Sequence, residues 1–377
     1  MHVVGKTFDR YLLNRFLFMF AGFFAASMGL YAVVDGFTNL DAFQSATHGE
    51  STSAMLTFMG RNYLYRTSWV FDLIGPTLIT TSAVAVLALL IRHGELNPLL
   101  AAGVPTYRLA RPLLIGVVLI HAALLANKEI ILPKIAVHLT GTHGEDANDA
   151  QQVETQVDRQ TGMVISGVEL IPATRTLLGA EFRMGGSKLV REFVTLKAET
   201  AVFLDANGDE PSGWHLVNMS PQFDRLDLTD LGRERIVPQE NGTDVFVVTE
   251  VSYDQLHNRG TNYKFLSTPD LMRRVRRPTS GVSMQRAQVM HLHERFTRPL
   301  VNMMAIYLAI PLLVRRESRS LVTDIAVCMG VLGVLLGVIE SCMYLGKGGL
   351  VSPEAAIWAP LMVGGVLAAW ISPRVQT

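Results

Sequence analysis

The chain has 377 residues, 49% of them hydrophobic and only 18% charged, and its 33 basic and 33 acidic side chains cancel to zero net charge. A soluble protein of this length carries more charge, and a neutral balance gives no reason to expect a nucleic-acid partner. Cys328 and Cys342 share one apolar run and stand roughly 21 Å apart along a helix, so no disulfide joins them within the chain.

Six apolar runs read as membrane helices, three before and three after one long polar block. The first is expected over about Tyr11–Val34. Its uncharged stretch Phe16–Val34 is longer than a signal-peptide core and has no small-residue cleavage site, so it reads as a retained helix. Gly22, Ala25, Ala26 and Gly29 would let a neighbouring helix approach closely. Asp35–Ser68 reads as a polar connection. The second helix is expected over about Trp69–Ile91, with Asp72 as an interfacial carboxylate at its start. Thr77, Thr80, Thr81 and Ser82 stand where they can satisfy backbone freed by Pro76. The third helix is expected to begin at Pro112, a residue suited to a first turn. Its uncharged core of about 14 residues is short for a bilayer needing roughly 20. It is therefore expected to run through Asn127-Lys128-Glu129 and emerge near Pro133, with His121 packed and neutral.

The polar block, about Pro133–Arg298, changes character. Apolar residues alternate in Gly162–Leu170, Leu189–Leu196, Thr200–Leu204 and Asp244–Val251, as in half-buried strands. Asn207-Gly208 and Asn241-Gly242 are hairpin turn signals, the first lying between Phe203-Leu204 and Trp214-Leu216. Some eight short strands predict an antiparallel sandwich or jelly roll. Thr268-Pro269-Asp270 reads as a helix start. The basic cluster behind it, Arg273, Arg274, Arg276 and Arg277, suits phosphate groups of an anionic lipid or a solvated helix end.

The fourth helix is expected over about Arg298–Val314, the fifth over Leu321–Leu345 and the sixth over Ala355–Ile371. Gly330, Gly333 and Gly337 recur at helical spacing on the fifth. Asp324 and Glu340 read as interfacial. Three parts result: 1–133 with helices one to three, 134–290 as an all-β domain with a helical connector, and 291–377 with helices four to six. Basic residues collect on one side of the membrane, among them Lys6, Arg10, Arg92, Arg108, Arg111, Arg315, Arg316, Arg319 and Arg374. That side is expected to be cytosolic and to hold both termini, with the β domain outside.

The chain has no GxxxxGK[ST] loop for ATP, no GxSxG and no HExxH. His291 and His293 fall on different helix faces, which disfavours a zinc site. No enzyme, metal or cofactor is therefore expected. The segment of about 94–104 carries a mechanical signal instead. Leu96, Leu99, Leu100 and Val104 recur at helical intervals, Gly103 is a stop, and Pro98 fits only a first turn. Such a short helix can plug into a groove on a cytosolic protein, with Glu95 aimed at a basic residue there.

These residues resemble, in order and over nearly the whole chain, the LptF/LptG permeases of the lipopolysaccharide ABC exporter. The similar stretches are Tyr31–Phe43, Gly94–Val104, Ala126–Pro133, Ala201–Asn218, His293–Leu300, Ala309-Ile310-Pro311 with Arg315-Arg316, and Ile357-Trp358-Ala359-Pro360. The resemblance implies six transmembrane helices in a 3+3 layout with an inserted periplasmic jelly roll in the bacterial inner membrane. It implies a paralogous permease partner in an LptF–LptG heterodimer and an LptB-like ATPase docked on the coupling helix. Lipopolysaccharide would enter through gates between helices one and five, then pass to the jelly rolls and to LptC- and LptA-like bridge proteins. Glu95, Leu96, Leu99, Leu100 and Gly103 would then meet the ATPase. Gly22, Ala26, Gly29, Gly330, Gly333 and Gly337 would be sliding gate contacts. The chain departs from the family in carrying Pro98 and Pro105 in the coupling segment. It also has Asp35 and Asp41 where the family places basic residues to meet lipid phosphates. Arg61, Arg66 or the Arg273–Arg277 cluster are the candidate substitutes. The rival readings are a membrane sensor with a ligand-binding β domain and an ion-coupled secondary transporter.

Overall fold

A computed structural model describes residues 2–47, 51–96, 98, 107–140, 150–185, 188–207, 211–239, 241, 243–256, 262–276, 282–314 and 320–371. The chain divides into a helical unit (Met1–Leu40, Met59–Leu132 and Arg286–Thr377) and a β unit (Asp41–Phe58 and Pro133–Gln285).

Helices α1 (His2–Thr38), α2 (Leu40–Ala46) and α3 (Thr52–Arg92) come first. Next is α4 (Tyr107–Ala126), which runs through a π-helical turn, Asn127–Ile131, into α5 (Leu132–Thr140). Among the described residues, five helical stretches are long and apolar enough to cross a membrane: Thr7–Thr38, Thr52–Arg92, Arg108–Leu139, Met284–Leu313 and Val322–Gly348. The sixth expected span is a 19-residue helix, Pro353–Ile371.

Several expected boundaries are corrected. Asp35–Ser68 is not a connection, because α1 runs through Thr38 and α3 begins at Thr52. The polar groups there satisfy one another across the helices. Tyr63 donates to Asp35 Oδ2 at 3.1 Å, Arg66 to Tyr31 Oη at 3.0 Å, and the Tyr31 and Tyr63 rings meet edge to face. Pro112 is inside α4, not in its first turn, since the helix starts at Tyr107. A proline so near the start removes only one backbone bond. The helix also continues past Pro133 to Thr140.

The core of the helical unit joins Leu12 and Phe16 of α1, Ile79, Leu87 and Leu90 of α3, and Leu109, Leu113 and Val117 of α4. Gly116 lets α1 and α4 come close: a Cβ there would lie 2.4 Å from Phe16 Cδ1. Gly116→Val is expected to cost about 1–3 kcal/mol by overpacking, read as a lower unfolding temperature in detergent.

Among the described residues, the β unit carries one antiparallel sheet of nine strands, ordered β1-β4-β5-β6-β7-β9-β8, with β3 also on β5 and β2 on β3. The strands are β1 (Gln151–Gln152), β2 (Gln156–Val157), β3 (Val164–Ser166), β4 (Glu169–Ile171), β5 (Thr176–Met184), β6 (Val194–Leu204), β7 (Gly213–Val217), β8 (Ile236–Pro238) and β9 (Val245–Val248). The expected strand Gly162–Leu170 is broken into β3 and β4, both paired with β5. The break sits where Gly167 and Gly179 let the backbones close. A Cβ on Gly167 would lie 2.4 Å from Leu177 Cδ1, and Gly179 has φ +58°. The two expected strands Leu189–Leu196 and Thr200–Leu204 are replaced by the single 11-residue β6. The hairpin of β6 and β7 pairs Phe203 with Trp214, as the Asn-Gly signal predicts. Gly208 and Gly242 lie outside the described residues.

Short helices α6 (Asp230–Arg235) and α7 (Tyr253–Leu256) flank the sheet. Helix α8 (Thr268–Arg276) starts at the expected threonine, with Ser267 Oγ accepting from the Asp270 N–H at 3.4 Å. The chain then forms α9 (Val282–Leu313), α10 (Leu321–Gly348) and α11 (Pro353–Ile371). Helix α9 begins well before the expected Arg298, because its charged first half finds partners on other helices.

Candidate functional site

The end of α3 is a tight turn that aims Glu95. Gly94 takes φ +71°, a conformation suited to glycine. Its N–H bonds Ile91 O at 3.0 Å and the Glu95 N–H bonds Leu90 O at 3.0 Å, the paired closure of a Schellman cap. The Glu95 carboxylate meets α1. Arg15 Nη1 lies 3.0 Å from both its oxygens, and Tyr11 Oη donates to Oε2 at 3.1 Å. Arg15 Nη2 also reaches His93 Nδ1 at 3.2 Å. Leu96 is buried in the core of the helical unit, and Pro98 is exposed. Leu99, Leu100 and Gly103, with the rest of 99–106, lie outside the described residues.

A second polar layer crosses three helices. Asp72 lies midway along α3, not at a helix start as expected, and pairs with Lys128 of the π-turn at 3.1 Å. Glu129, the next residue, meets Arg295 of α9 at 3.6 Å. Glu294 accepts from Arg298 Nε at 2.7 Å and lies 3.4 Å from His291 Nδ1. His293 instead accepts from Trp358 Nε1 at 3.4 Å, so the two histidines do serve different faces. One level away, Asn302 Nδ2 donates to Pro76 O at 2.9 Å and to His121 Nε2 at 3.1 Å. The carbonyl fixes that atom as the amide nitrogen, so His121 presents a lone pair and is neutral there. Thr81 Oγ1 donates to Thr77 O at 3.0 Å near the proline, while the buried Ser82 hydroxyl has no hydrogen-bond partner among the described residues.

The small-residue ridges face outward. Nothing lies within 4 Å of a Cβ built on Gly22, Gly29, Gly330, Gly333 or Gly337, and Ala26 is exposed. Arg66 is engaged with Tyr31 and with Asn62 Oδ1 at 2.7 Å, and Arg61 is exposed and has an interaction of its own.

The β unit holds a cavity of about 630 Å³. Pro172, Phe203, Val248, Phe265 and Leu266 give it apolar wall. Its charged lining balances: Arg175, Arg235, Arg273 and Arg274 against Asp205, Glu250, Asp254 and Asp270. Arg274 bonds Asp254 at 2.6 and 2.7 Å and Ser252 Oγ at 2.9 Å, and Arg273 lies 3.6 Å from Asp270. Burial, with Asp254 beside it, raises the Tyr253 phenol above its usual range and keeps it protonated under the Arg175 guanidinium. Arg276 is exposed, and Arg277 lies outside the described residues. Among the described residues the arginine cluster therefore splits, with Arg274 holding α7 through Asp254 and with Arg273 and Arg276 exposed.

Sequence reasoning missed the ion pairs of the helical unit. A signal was present: Asp72 opens the second apolar run, Lys128 and Glu129 close the third, and Glu294 and Arg295 precede the fourth. Antiparallel helices bring those ends to one level, with complementary signs. Among the described residues no cluster of His, Cys, Asp and Glu is arranged to hold a metal ion.

A family model described as lipopolysaccharide export system permease LptF/LptG matches residues 10–374. No curated protein matches the chain. The match takes in the long apolar helices that precede and follow the strands in sequence and the whole β unit, and the chain therefore belongs to the LptF/LptG family of lipopolysaccharide export permeases.

Proposed function

We propose that this chain is one half of a permease pair that withdraws lipopolysaccharide, or a similar large glycolipid, from the bacterial inner membrane. The family match over residues 10–374 carries that reading. A separate LptB-like ATPase would dock on the segment around Glu95, since the chain has no phosphate-cradling loop of its own. A paralogous permease would cover the open ridges at Gly22, Ala26, Gly29, Gly330, Gly333 and Gly337. The lipid would leave through the β unit, folded as a periplasmic jelly roll, toward LptC- and LptA-like bridge proteins and the outer membrane. Six spans with both termini in the cytosol fit the distribution of basic residues.

The physical task is to spread a large cost. At ~0.8 kcal/mol per CH₂, withdrawing several acyl chains costs on the order of tens of kcal/mol. A closed apolar cavity followed by an apolar groove keeps the chains out of water throughout. ATP hydrolysis in the partner, felt through the coupling segment, would collapse the cavity.

The test is co-purification followed by lipid release from proteoliposomes. The expected result is a bound nucleotide-hydrolysing subunit, ATP-driven release, and a loss of about tenfold or more with Glu95→Lys, which reverses a charge-assisted contact. A chain that brings down no ATPase, or that releases lipid without ATP, is instead a sensor or an ion-coupled transporter.

A further inference from the structure

Glu95 already has partners within its own chain. Arg15 offers one guanidinium nitrogen to both carboxylate oxygens at 3.0 Å, and Tyr11, one turn earlier on α1, adds a hydroxyl at 3.1 Å. Tyr11 also accepts from Arg15 Nη1 at 2.6 Å, so the two α1 side chains hold each other in place. The Arg15 side chain is 17% exposed and that of Glu95 34%. The carboxylate is thus gripped from the α1 side while its outer edge stays open to a second cation.

The opposite face of the same turns is fixed differently. Leu12 and Phe16 are fully buried, and Phe16 presses on Gly116 of α4. One end of α1 is therefore held twice, by apolar packing on α4 and by an ionic contact to the segment leaving α3. Farther along, Gly22, Ala26 and Gly29 face open space. A displacement of the Glu95 segment has a direct ionic route into α1, and that route is Arg15. A guanidinium suits the task because its rigid plane sets Nη1 on Glu95 and Nη2 on His93 at once, which a flexible ammonium does not.

We infer that Arg15 is a positioning residue for transport, the link by which movement of the Glu95 segment is passed to the first helix. The inference rests on the reading above, in which an ATPase pushes on that segment. Glu95 then faces two ways, toward the ATPase outside and toward Arg15 within.

The experiment uses the complete complex in proteoliposomes and follows three quantities: ATPase subunit retained, ATP turned over, and lipopolysaccharide released per ATP. With Arg15→Gln the ATPase subunit is expected to stay bound while lipid per ATP falls about tenfold, as for loss of one charge-assisted contact. Arg15→Lys, which keeps the charge and leaves Glu95 untouched, is expected to recover part of that ratio relative to Arg15→Gln. A purely structural role would lower the amount of folded complex and leave the ratio unchanged. An unchanged ratio in Arg15→Gln, or loss of the ATPase subunit from it, overturns the inference and leaves the permease reading standing. Should Arg15→Gln fail to fold, Arg15→Lys decides: a folded Arg15→Lys complex that releases as much lipid per ATP as the unmodified one overturns it as well. If the unmodified complex neither binds an ATPase nor releases lipid, the permease reading itself is lost.

Discussion

Trp214→Ala is expected to unfold the β unit while leaving the helical unit folded. Trp214 is fully buried, its ring meets Phe182 and Phe203 edge to face, and its Nε1 donates to Val251 O at 2.8 Å. Truncating a buried tryptophan costs about 3–5 kcal/mol, and the orphaned carbonyl adds to that. Such a loss is a large share of the roughly 5–15 kcal/mol that holds a domain together. Limited proteolysis of the full chain in detergent checks it. Cleavage is expected throughout 150–256, with fragments from the long helices intact. Trp214→Phe keeps most of the ring and should stay resistant. If the alanine variant resists protease like the parent, this account of the core is wrong.

The second large effect lies in the helical unit. Asp72→Leu leaves Lys128, only 15% of whose side chain is exposed, without its ion-pair partner. Breaking one partner of a buried pair costs about 3–5 kcal/mol, whereas replacing both by apolar groups of similar size is often neutral. Asp72→Leu and Lys128→Met should each lower the unfolding temperature sharply, and the double variant should recover most of the loss. The comparison is by thermal unfolding in one detergent. Additive losses would mean that the pair contributes nothing as a pair. Glu129 and Arg295 lie close by, so some of the coupling will spread to them.

What could be read in advance follows a physical line. The last two apolar helices were placed within a few residues, because Leu321–Gly348 and Pro353–Ile371 begin and end where apolar text begins and ends. The first four helices are longer than their apolar runs. Their polar flanks pair with one another, as Tyr63 does with Asp35, and hydropathy cannot see a charge that is satisfied by a neighbouring helix. Asp72 was misread for that reason: its partner is distant in sequence, and only the fold puts Lys128 beside it. In the β unit the hairpin at Phe203 and Trp214 was legible from one dipeptide. Strand β5 was not, since Leu177-Leu178 breaks the alternation and Gly179 then sits where strand propensity is lowest. For the segment around 94–104, the sequence aims Glu95 at a basic partner on a cytosolic protein. It did not foresee that Arg15 of the same chain would be one.

The widened turn at Asn127–Ile131 is what lets two consecutive residues, Lys128 and Glu129, address two different neighbours, one on α3 and one on α9. Removing a single amino acid there would re-phase everything downstream by about 100°. The shift would carry one of the two charges away from its counter-ion. The stretch is thus a ruler whose length is counted in whole residues, and related chains one residue shorter at this point would need a different arrangement of opposite charges.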